Sequence, residues 1–238
     1  MGRSGRFGPV IYRTGDAGAL IMILFLTAYG RKEIALFSLL WIALAAGLWQ
    51  LHPAAAVVPF AGLAFTLSFF RDPPRRVPAG DETLVAPADG RVSDIADFPA
   101  GEHLAEPSVR VGIFLSVFDV HVNRTPCAGV VKSTRYTPGE YLDARHPECD
   151  RRNERNDILI ERSPAKGPVL VRQISGAVAR RIVCACREND VLAKGQRVGM
   201  IKFGSRTELY VPRRSVAEIL VRVGDRVKGG ETILARTQ

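Results

Sequence analysis

The sequence predicts a mainly β domain preceded by apolar helices that hold it at a membrane. Residues 17–70 are nearly uncharged, and only the triplet 31–33 interrupts them with charged side chains. From Arg71 onward the chain is polar and rich in glycine and β-branched residues, which predicts short strands separated by turns. The 238 residues suffice for one domain with an added segment, or for two small domains. We therefore divide the chain into a membrane-associated region, residues 1–76, and a domain of residues 77–238.

The membrane-associated region contains three apolar runs. The first, Ala17–Tyr29, is short for a membrane span, whereas Ile34–Leu51 has 18 residues and Ala54–Phe70 has 17. A spanning helix needs about 20 apolar residues. His52-Pro53 breaks the helix between the last two runs. Two arrangements are open: two spans joined by a tight turn, or a hairpin of the first two runs with the third dipping into the interface.

Basic residues flank the apolar region on both sides and supply much of the net charge of +9. Such flanks are typical of cytoplasmic segments that contact anionic lipid. They favour an even number of crossings, with the domain on the cytoplasmic side of the cell membrane. The region is too long and too repetitive for a secretory signal peptide, and no aromatic and basic groove pattern indicates nucleic-acid binding. The flanking residues are Arg3, Arg6, Arg13, Arg71, Arg75 and Arg76.

Strand patterns recur throughout the domain. An Asp-Gly pair, Asp89-Gly90, lies between β-branched residues and indicates a turn. The four cysteines, at 127, 149, 184 and 186, form no CxxC pair and no zinc pattern, so we expect free thiols and no metal site. The turn lies within Leu84–Val92, and the strand candidates are Val109–Val117, Val169–Ile174 and Val178–Val183.

A weak internal repeat indicates how these strands are arranged. Asp190–Gly199 parallels Asp225–Leu234, since each has an aspartate and an apolar residue before a glycine turn and a strand. The second copy resembles the turn-and-strand unit of lipoyl and biotinyl carrier domains, which are flattened antiparallel barrels of two similar halves. Carrier domains present a lysine at their exposed hairpin, and this chain has Gly204-Ser205 near that position. The resemblance therefore supports an antiparallel, barrel-like fold more than a carrier function.

The Gly204-Ser205 pair lies where a chain can cleave itself. A serine hydroxyl can attack the carbonyl of the preceding residue, and glycine obstructs that attack least. The amide becomes an ester, and its elimination leaves dehydroalanine, which hydrolyses to a pyruvoyl group. A pyruvoyl carbonyl forms a Schiff base with an amine substrate and withdraws electrons from it, as pyridoxal phosphate does. The dipeptide alone is common, and an ordinary strand end is the alternative.

Six motifs in order resemble phosphatidylserine decarboxylase in its short bacterial and archaeal form. The resemblance implies a proenzyme that cleaves itself before Ser205, giving a large chain that ends at Gly204 and a small chain that begins at a pyruvoyl group. It also implies membrane association and conversion of phosphatidylserine to phosphatidylethanolamine and CO2 by a heterodimer of the two fragments. The motifs are Phe69–Pro73, Ala86–Gly90, Phe114–Pro126, Arg152–Asn156, Gly176–Ile182 and Phe203–Ser205.

The resemblance also assigns helpers to Ser205. Asp89 matches the catalytic aspartate of the family, although an Asp-Gly turn residue is its ordinary role. His121 matches a histidine that the family uses around the pyruvoyl group. Longer members have a second histidine three positions later, in their self-cleavage triad, and this chain has Arg124 there. Either His121 performs both tasks, or another residue is the base.

Two other functions remain open at this point. One is a membrane-anchored, carrier-like β-barrel adaptor without enzymatic activity, which would run as one band in denaturing electrophoresis where the enzyme gives two. The other is a pyruvoyl enzyme that acts on a soluble amino acid. The apolar anchor argues against the latter, because a soluble substrate gives no reason to lie at a membrane.

Overall fold

Two apolar helices and a short third helix accompany a mainly β domain. The computed structural model describes residues 25–162, 166–177, 181–202 and 205–238. The helices are α1 (Arg31–Leu51), α2 (Val57–Phe69) and α3 (Cys149–Arg152), with 3-10 turns at Ala28–Gly30, Pro53–Ala56 and Arg213–Ser215.

The strands of the described residues pair in antiparallel fashion in three sheets. The largest curls into a half-barrel of eight strands in the order β13-β2-β3-β11-β7-β6-β5-β9. The others have three strands each, ordered β4-β10-β8 and β1-β14-β12. The bounds are β1 (Thr83–Val85), β2 (Gly90–Phe98), β3 (Ser108–Leu115), β4 (Val122–Arg124), β5 (Gly129–Thr137), β6 (Arg155–Glu161), β7 (Val169–Ile174), β8 (Arg181–Cys184), β9 (Val191–Leu192), β10 (Arg197–Lys202), β11 (Ser205–Pro212), β12 (Val216–Ile219), β13 (Arg226–Val227) and β14 (Ile233–Thr237).

Helices α1 and α2 form a hairpin, and the end of α2 lies beside the segment that precedes α1. The Thr27 N–H donates to the Phe70 carbonyl at 2.8 Å, and the Trp41 indole donates to Thr66 Oγ1 at 3.1 Å between the helices. Residues Ala28–Leu51 are long and apolar enough to cross a membrane, and their most apolar 18-residue window has a mean hydropathy of 2.0. The second and third apolar runs thus pair through the break at His52-Pro53, whereas most of the first run, residues 17–24, lies outside the described residues.

The internal repeat corresponds to a pseudo-twofold symmetry of the domain. Residues 90–91 pair with 226–227, and residues 129–130 pair with 191–192 in the same register. The two copies also share a turn, because the Arg187 N–H donates to the Asp190 carboxylate at 2.7 Å and the Arg222 N–H donates to that of Asp225 at 2.8 Å. The prediction of a mainly β, antiparallel, barrel-like domain after apolar helices is confirmed.

The inner face of the half-barrel changes from apolar to polar along its strands. Alternate residues of a strand share a face, and at one end of the inner face they are Val169, Val171, Leu209 and Val211, all in the apolar core. At the other end the same faces carry Gln173 on β7 and Thr207 and Ser205 on β11, all fully buried. A polar interior therefore begins where β11 begins.

The predicted strands correspond to strands of the structure, and the predicted turn lies between two sheets. The predicted strands 109–117 and 169–174 correspond to β3 and β7, and of 178–183 the described part belongs to β8, since residues 178–180 lie outside the description. The Asp89-Gly90 turn does not close a hairpin, because β1 pairs with β14 and β2 pairs with β3. The pair instead turns a corner between two sheets.

Candidate active site

Ser205 is the first residue of β11, in the centre of the half-barrel. It lies opposite Leu115 of β3, and its side chain is fully buried, with 0% exposure. Among the described residues its Oγ has no hydrogen-bond partner. A buried hydroxyl without a partner is costly and therefore uncommon. Gly204, the other residue of the predicted cleavage site, lies outside the described residues, as does Phe203.

A row of buried amides and a hydroxyl fixes the strand beside Ser205. Asn123 Nδ2 donates to Thr207 Oγ1 at 3.2 Å, Gln173 Nε2 donates to Asn123 Oδ1 at 2.9 Å, and Asn156 Nδ2 donates to Gln173 Oε1 at 3.1 Å. The row joins four strands, β4, β11, β7 and β6, and the partners satisfy one another as buried polar groups require. Sequence reasoning assigned none of these residues a role, although Asn123 and Asn156 lie in two of the six motifs. Their signal is a polar residue at an inward position of an otherwise apolar strand.

His121 lies beside the strand that leads to Ser205. Its carbonyl accepts from the Ile201 N–H at 3.3 Å, four positions before Ser205 in the chain. The imidazole is fully buried, and its Nδ1 is 2.9 Å from the Asp119 carbonyl. A carbonyl only accepts, so Nδ1 bears the proton and Nε2 is the basic nitrogen.

Burial keeps this imidazole neutral. Desolvation lowers the pKa of His121 to about 4, outweighing the Asp119 carbonyl, which raises it. The ring also packs against Phe69 at the end of α2, with centroids 4.3 Å apart. The candidate base therefore contacts the helix hairpin on one side and the strand before Ser205 on the other.

Asp89 lies in the corner before β2, held by two partners. Arg75 Nη2 donates to both carboxylate oxygens at 2.9 Å, and the Gly229 N–H donates at 2.8 Å. Burial raises the pKa of this carboxyl, and Arg75 opposes the rise. Among the described residues, His121 is not a hydrogen-bond partner of Asp89. Any influence of Asp89 on the imidazole must therefore pass through other groups.

Arg124, at the position of the second family histidine, belongs to a buried ionic cluster. Its Nη2 donates to Asp72 Oδ1 at 2.6 Å, and its Nη1 donates to the Gly195 carbonyl at 3.1 Å. Arg197 pairs with the other oxygen of Asp72. A guanidinium has no lone pair to offer as a base near neutral pH. Arg124 is thus a structural cation at this position, and the candidate base is the imidazole of His121, whose backbone contacts the strand that leads to Ser205.

We expect the neutral His121 to make the folded protein less stable in acid. Its pKa of about 4 lies below the ordinary 6.5, so between these values the unfolded chain binds a proton that the folded chain does not. The free energy of unfolding is therefore unaffected by this group above pH 6.5. It decreases progressively as the pH falls toward 4, by up to about 3 kcal/mol. Thermal unfolding between pH 7 and 4 measures it. His121→Gln should lose less stability over this interval than the natural chain, and an equal loss would contradict the assignment.

Comparison with known proteins identifies the family. The sequence model of phosphatidylserine decarboxylase matches residues 63–235. The chain is 46% identical over 179 residues to a phosphatidylserine decarboxylase proenzyme of Syntrophus aciditrophicus, covering 75% of this chain and 83% of the relative. It is 43% identical over 213 residues to one of Rhodopirellula baltica, covering 88% and 87%, and 40% identical over 219 residues to one of Geobacter metallireducens, covering 92% and 91%. This chain therefore belongs to the phosphatidylserine decarboxylase family and is a decarboxylase, a carboxy-lyase.

Proposed function

We propose that the chain cleaves itself between Gly204 and Ser205, acquires a pyruvoyl group from Ser205, and converts phosphatidylserine to phosphatidylethanolamine and CO2. The observation that carries the proposal is the buried Ser205 Oγ, which has no partner among the described residues, lies at the polar end of the interior and, unlike the equally buried Ser175, follows a glycine. That position fits a small covalent group made from the serine itself. The family assignment supplies the substrate.

Self-cleavage needs a base and a fixed strand. Ser205 Oγ attacks the Gly204 carbonyl, Nε2 of the neutral His121 takes the hydroxyl proton, and the Gly204–Ser205 amide becomes an ester. Loss of the Ser205 α-proton then expels the carboxylate of Gly204 from Cβ. Water hydrolyses the resulting dehydroalanine and releases ammonia. The row at Thr207 holds the backbone two residues away, so the hydroxyl is positioned while the bond before it breaks.

The same imidazole serves the decarboxylation. The pyruvoyl carbonyl supplies an electron sink for the electron pair that remains when CO2 leaves. With a pKa of about 4, His121 is neutral when the substrate arrives. Its Nε2 first accepts a proton from the ammonium group of the substrate. It then returns that proton to the carbon that has lost CO2. A single histidine thereby performs both tasks that longer family members divide between two.

The lipid substrate reaches the site from the helix hairpin. Phe69 and Phe70 at the end of α2 pack with Met200 of β10, and Phe69 lies beside His121. Phe118, 72% exposed, lies in the loop before His121 with its ring 6.2 Å from that of Phe65 in α2. We place the hairpin in the cell membrane and the domain, residues 77–238, on its cytoplasmic side, with residues 1–76 as the membrane-associated region.

The two cleavage products should stay together as a heterodimer. β11 is paired on both sides, with β3 through eight opposed residues and with β7 through five. The small fragment also contributes β13 to β2 and β14 to β1. Cleavage before Ser205 breaks none of these pairs, so the fragments remain bound without denaturant.

Asp89 acts as a positioning residue in this proposal. Its carboxylate holds Arg75 and Gly229, and the same corner adjoins β4, since the Arg124 N–H donates to the Pro87 carbonyl at 2.9 Å. β4 begins immediately after His121. Asp89 therefore secures one end of the segment that presents the imidazole at its other end.

We expect Asp89→Asn to slow maturation. The change leaves the Arg75 side chain, 5% exposed, without its counter-charge, and loss of one partner of a buried pair costs about 3–5 kcal/mol. The double variant Arg75→Gln/Asp89→Asn removes both charges and should regain stability. The fraction of cleaved chain and the unfolding midpoint are measured for both. Normal maturation in Asp89→Asn would show that Asp89 has no role at the site. Full recovery of cleavage in the double variant would show that Asp89 acts only as the partner of Arg75.

Release of labelled CO2 tests the function. The purified chain in detergent micelles is given phosphatidylserine with a labelled carboxyl group, and phosphatidylethanolamine is quantified in parallel. We expect both products from a preparation that runs as two bands in denaturing electrophoresis. One intact chain without CO2 release would instead support the membrane-anchored adaptor, and activity that requires added pyridoxal phosphate or a metal would refute the pyruvoyl group.

A further inference from the structure

A positively charged pocket lies at the opposite end of β10 from Ser205. Its volume is about 170 Å³, and the pocket is lined by Asp81, Thr83, Cys127, Ala128, Arg162, Lys166 and Lys194. Three of these side chains are cations, and Asp81 is the one carboxylate among them. Burial raises the pKa of the Cys127 thiol to about 11, so this thiol adds no negative charge. The pocket therefore carries an excess of positive charge.

The buried cation of the pocket lacks a counter-charge. Arg162 is 8% exposed, and its Nη1 has no hydrogen-bond partner among the described residues. Its Nε donates to the Gly167 carbonyl at 2.9 Å and its Nη2 to Ser215 Oγ at 3.2 Å, and neither acceptor is charged. None of the ion pairs within the described residues involves Arg162, Lys166 or Lys194. A buried guanidinium without an anion is unfavourable, and a bound anion would relieve it.

The pseudo-twofold symmetry explains where the missing anion belongs. The Val85 N–H donates to the Pro126 carbonyl and the Arg124 N–H to the Pro87 carbonyl, both at 2.9 Å. These reciprocal bonds relate the corner before β2 to the corner before β5. They place Ala128 where the other half has Asp89, whose carboxylate pairs with a buried arginine. The second corner has the cations and lacks the counterpart of Asp89, since Asp81 comes from a different segment of the chain.

We propose that this pocket binds the phosphate group of a small soluble molecule, either inorganic phosphate or a phosphate monoester. A phosphate dianion matches the pocket's excess of two positive charges. It accepts hydrogen bonds from guanidinium and ammonium groups together. The site is independent of the chemistry at Ser205.

The location favours a soluble ligand over a lipid headgroup. Met200, near the end of β10, packs against Phe69 and Phe70 of the helix hairpin. The strand Arg197–Lys202 spans roughly 16 Å at the usual rise per residue, and the turn with Lys194 precedes its first residue. Lys166 and Lys194 donate to the carbonyls of Asp81 and Gly80, so the pocket lies against the segment 80–83, whereas the helix hairpin packs on Met200.

Calorimetry and thermal unfolding of the full chain in detergent micelles test the site. Potassium phosphate should raise the unfolding midpoint above that in potassium chloride of equal ionic strength, because a ligand of the folded state stabilises it. Lys194→Met and Lys166→Met should each weaken phosphate binding about tenfold or more. Lys132→Met, at an exposed lysine paired with Glu161, should leave binding unchanged.

The sharpest test is a variant in which the chain itself supplies the missing carboxylate. Ala128→Asp should raise the unfolding midpoint without phosphate and abolish the response to phosphate. Ala128→Asn, whose side chain has the shape of aspartate without its charge, should keep that response. Glycerophosphoserine, a soluble phosphodiester, should bind about tenfold more weakly than inorganic phosphate, since it carries one charge fewer. The proposal is overturned if phosphate acts no differently from chloride, if Lys132→Met or Ala128→Asn loses binding equally, or if the diester binds as tightly as phosphate.

Discussion

Ser205→Ala should leave the chain as a single polypeptide of 26.0 kDa, whereas we expect the natural sequence to yield fragments 1–204 and 205–238. The variant lacks the hydroxyl that attacks the Gly204 carbonyl, so neither the ester nor the pyruvoyl group forms. Decarboxylation should fall to background, because the electron sink is missing altogether. Intact mass spectrometry measures the first effect, and release of labelled CO2 measures the second. The natural small fragment should also resist Edman degradation, since a pyruvoyl terminus has no free amine.

Ser175→Ala is the matched control for this experiment. Ser175 is also fully buried, and its Oγ likewise has no hydrogen-bond partner among the described residues. It lies just beyond β7, within the same polar interior. If burial of an unpaired hydroxyl were the relevant property, both variants would behave alike. We expect Ser175→Ala to mature normally, and cleavage of Ser205→Ala at the same bond would indicate an external protease.

Local patterns predicted the parts of this molecule that depend on local chemistry. The repeat at Asp190 and Asp225 was visible because each turn is closed by hydrogen bonds within a few residues. The apolar runs predicted the helices for the same reason, since length and hydropathy belong to a single segment. The pairing of β1 with β14 could not be predicted in this way, because the sequence of a short strand does not specify which strand it pairs with. The Asp89-Gly90 pair consequently indicated a turn, but not that the chain changes sheets there.

The candidate site divides in the same way. Ser205 and His121 could be proposed because a Gly-Ser pair and a histidine each have chemistry of their own. The partners of these residues could not, since they depend on register between distant strands. Arg75 faces Asp89 across a corner, and Gln173 meets Asn123 from a strand 50 positions later in the chain. The buried state of His121, which sets its low pKa, follows from packing against α2 and has no local signal.

The second large effect is expected for His121→Ala, which removes the imidazole proposed for both steps. Loss of a general acid or base typically costs about 10²–10⁴-fold, so we expect the rate of self-cleavage to fall by this amount. Any chain that does mature should show a similar loss in decarboxylation when CO2 release is divided by the fraction cleaved. Because the pKa of His121 is about 4, cleavage of the natural proenzyme should slow as the pH falls through that value and stay constant above it.

His146→Ala is the control, since His146 lies in an exposed loop and its Nδ1 accepts from the Glu148 N–H at 3.2 Å. It should change neither rate. A merely structural role for His121 is distinguished by free imidazole, which can occupy the space left by the removed ring and accept the proton there. We expect added imidazole to restore part of the cleavage in His121→Ala and to have no effect on Ser205→Ala. Normal maturation together with normal turnover in His121→Ala would exclude His121 as the base. The base would then have to be another residue, to be sought first around Arg124.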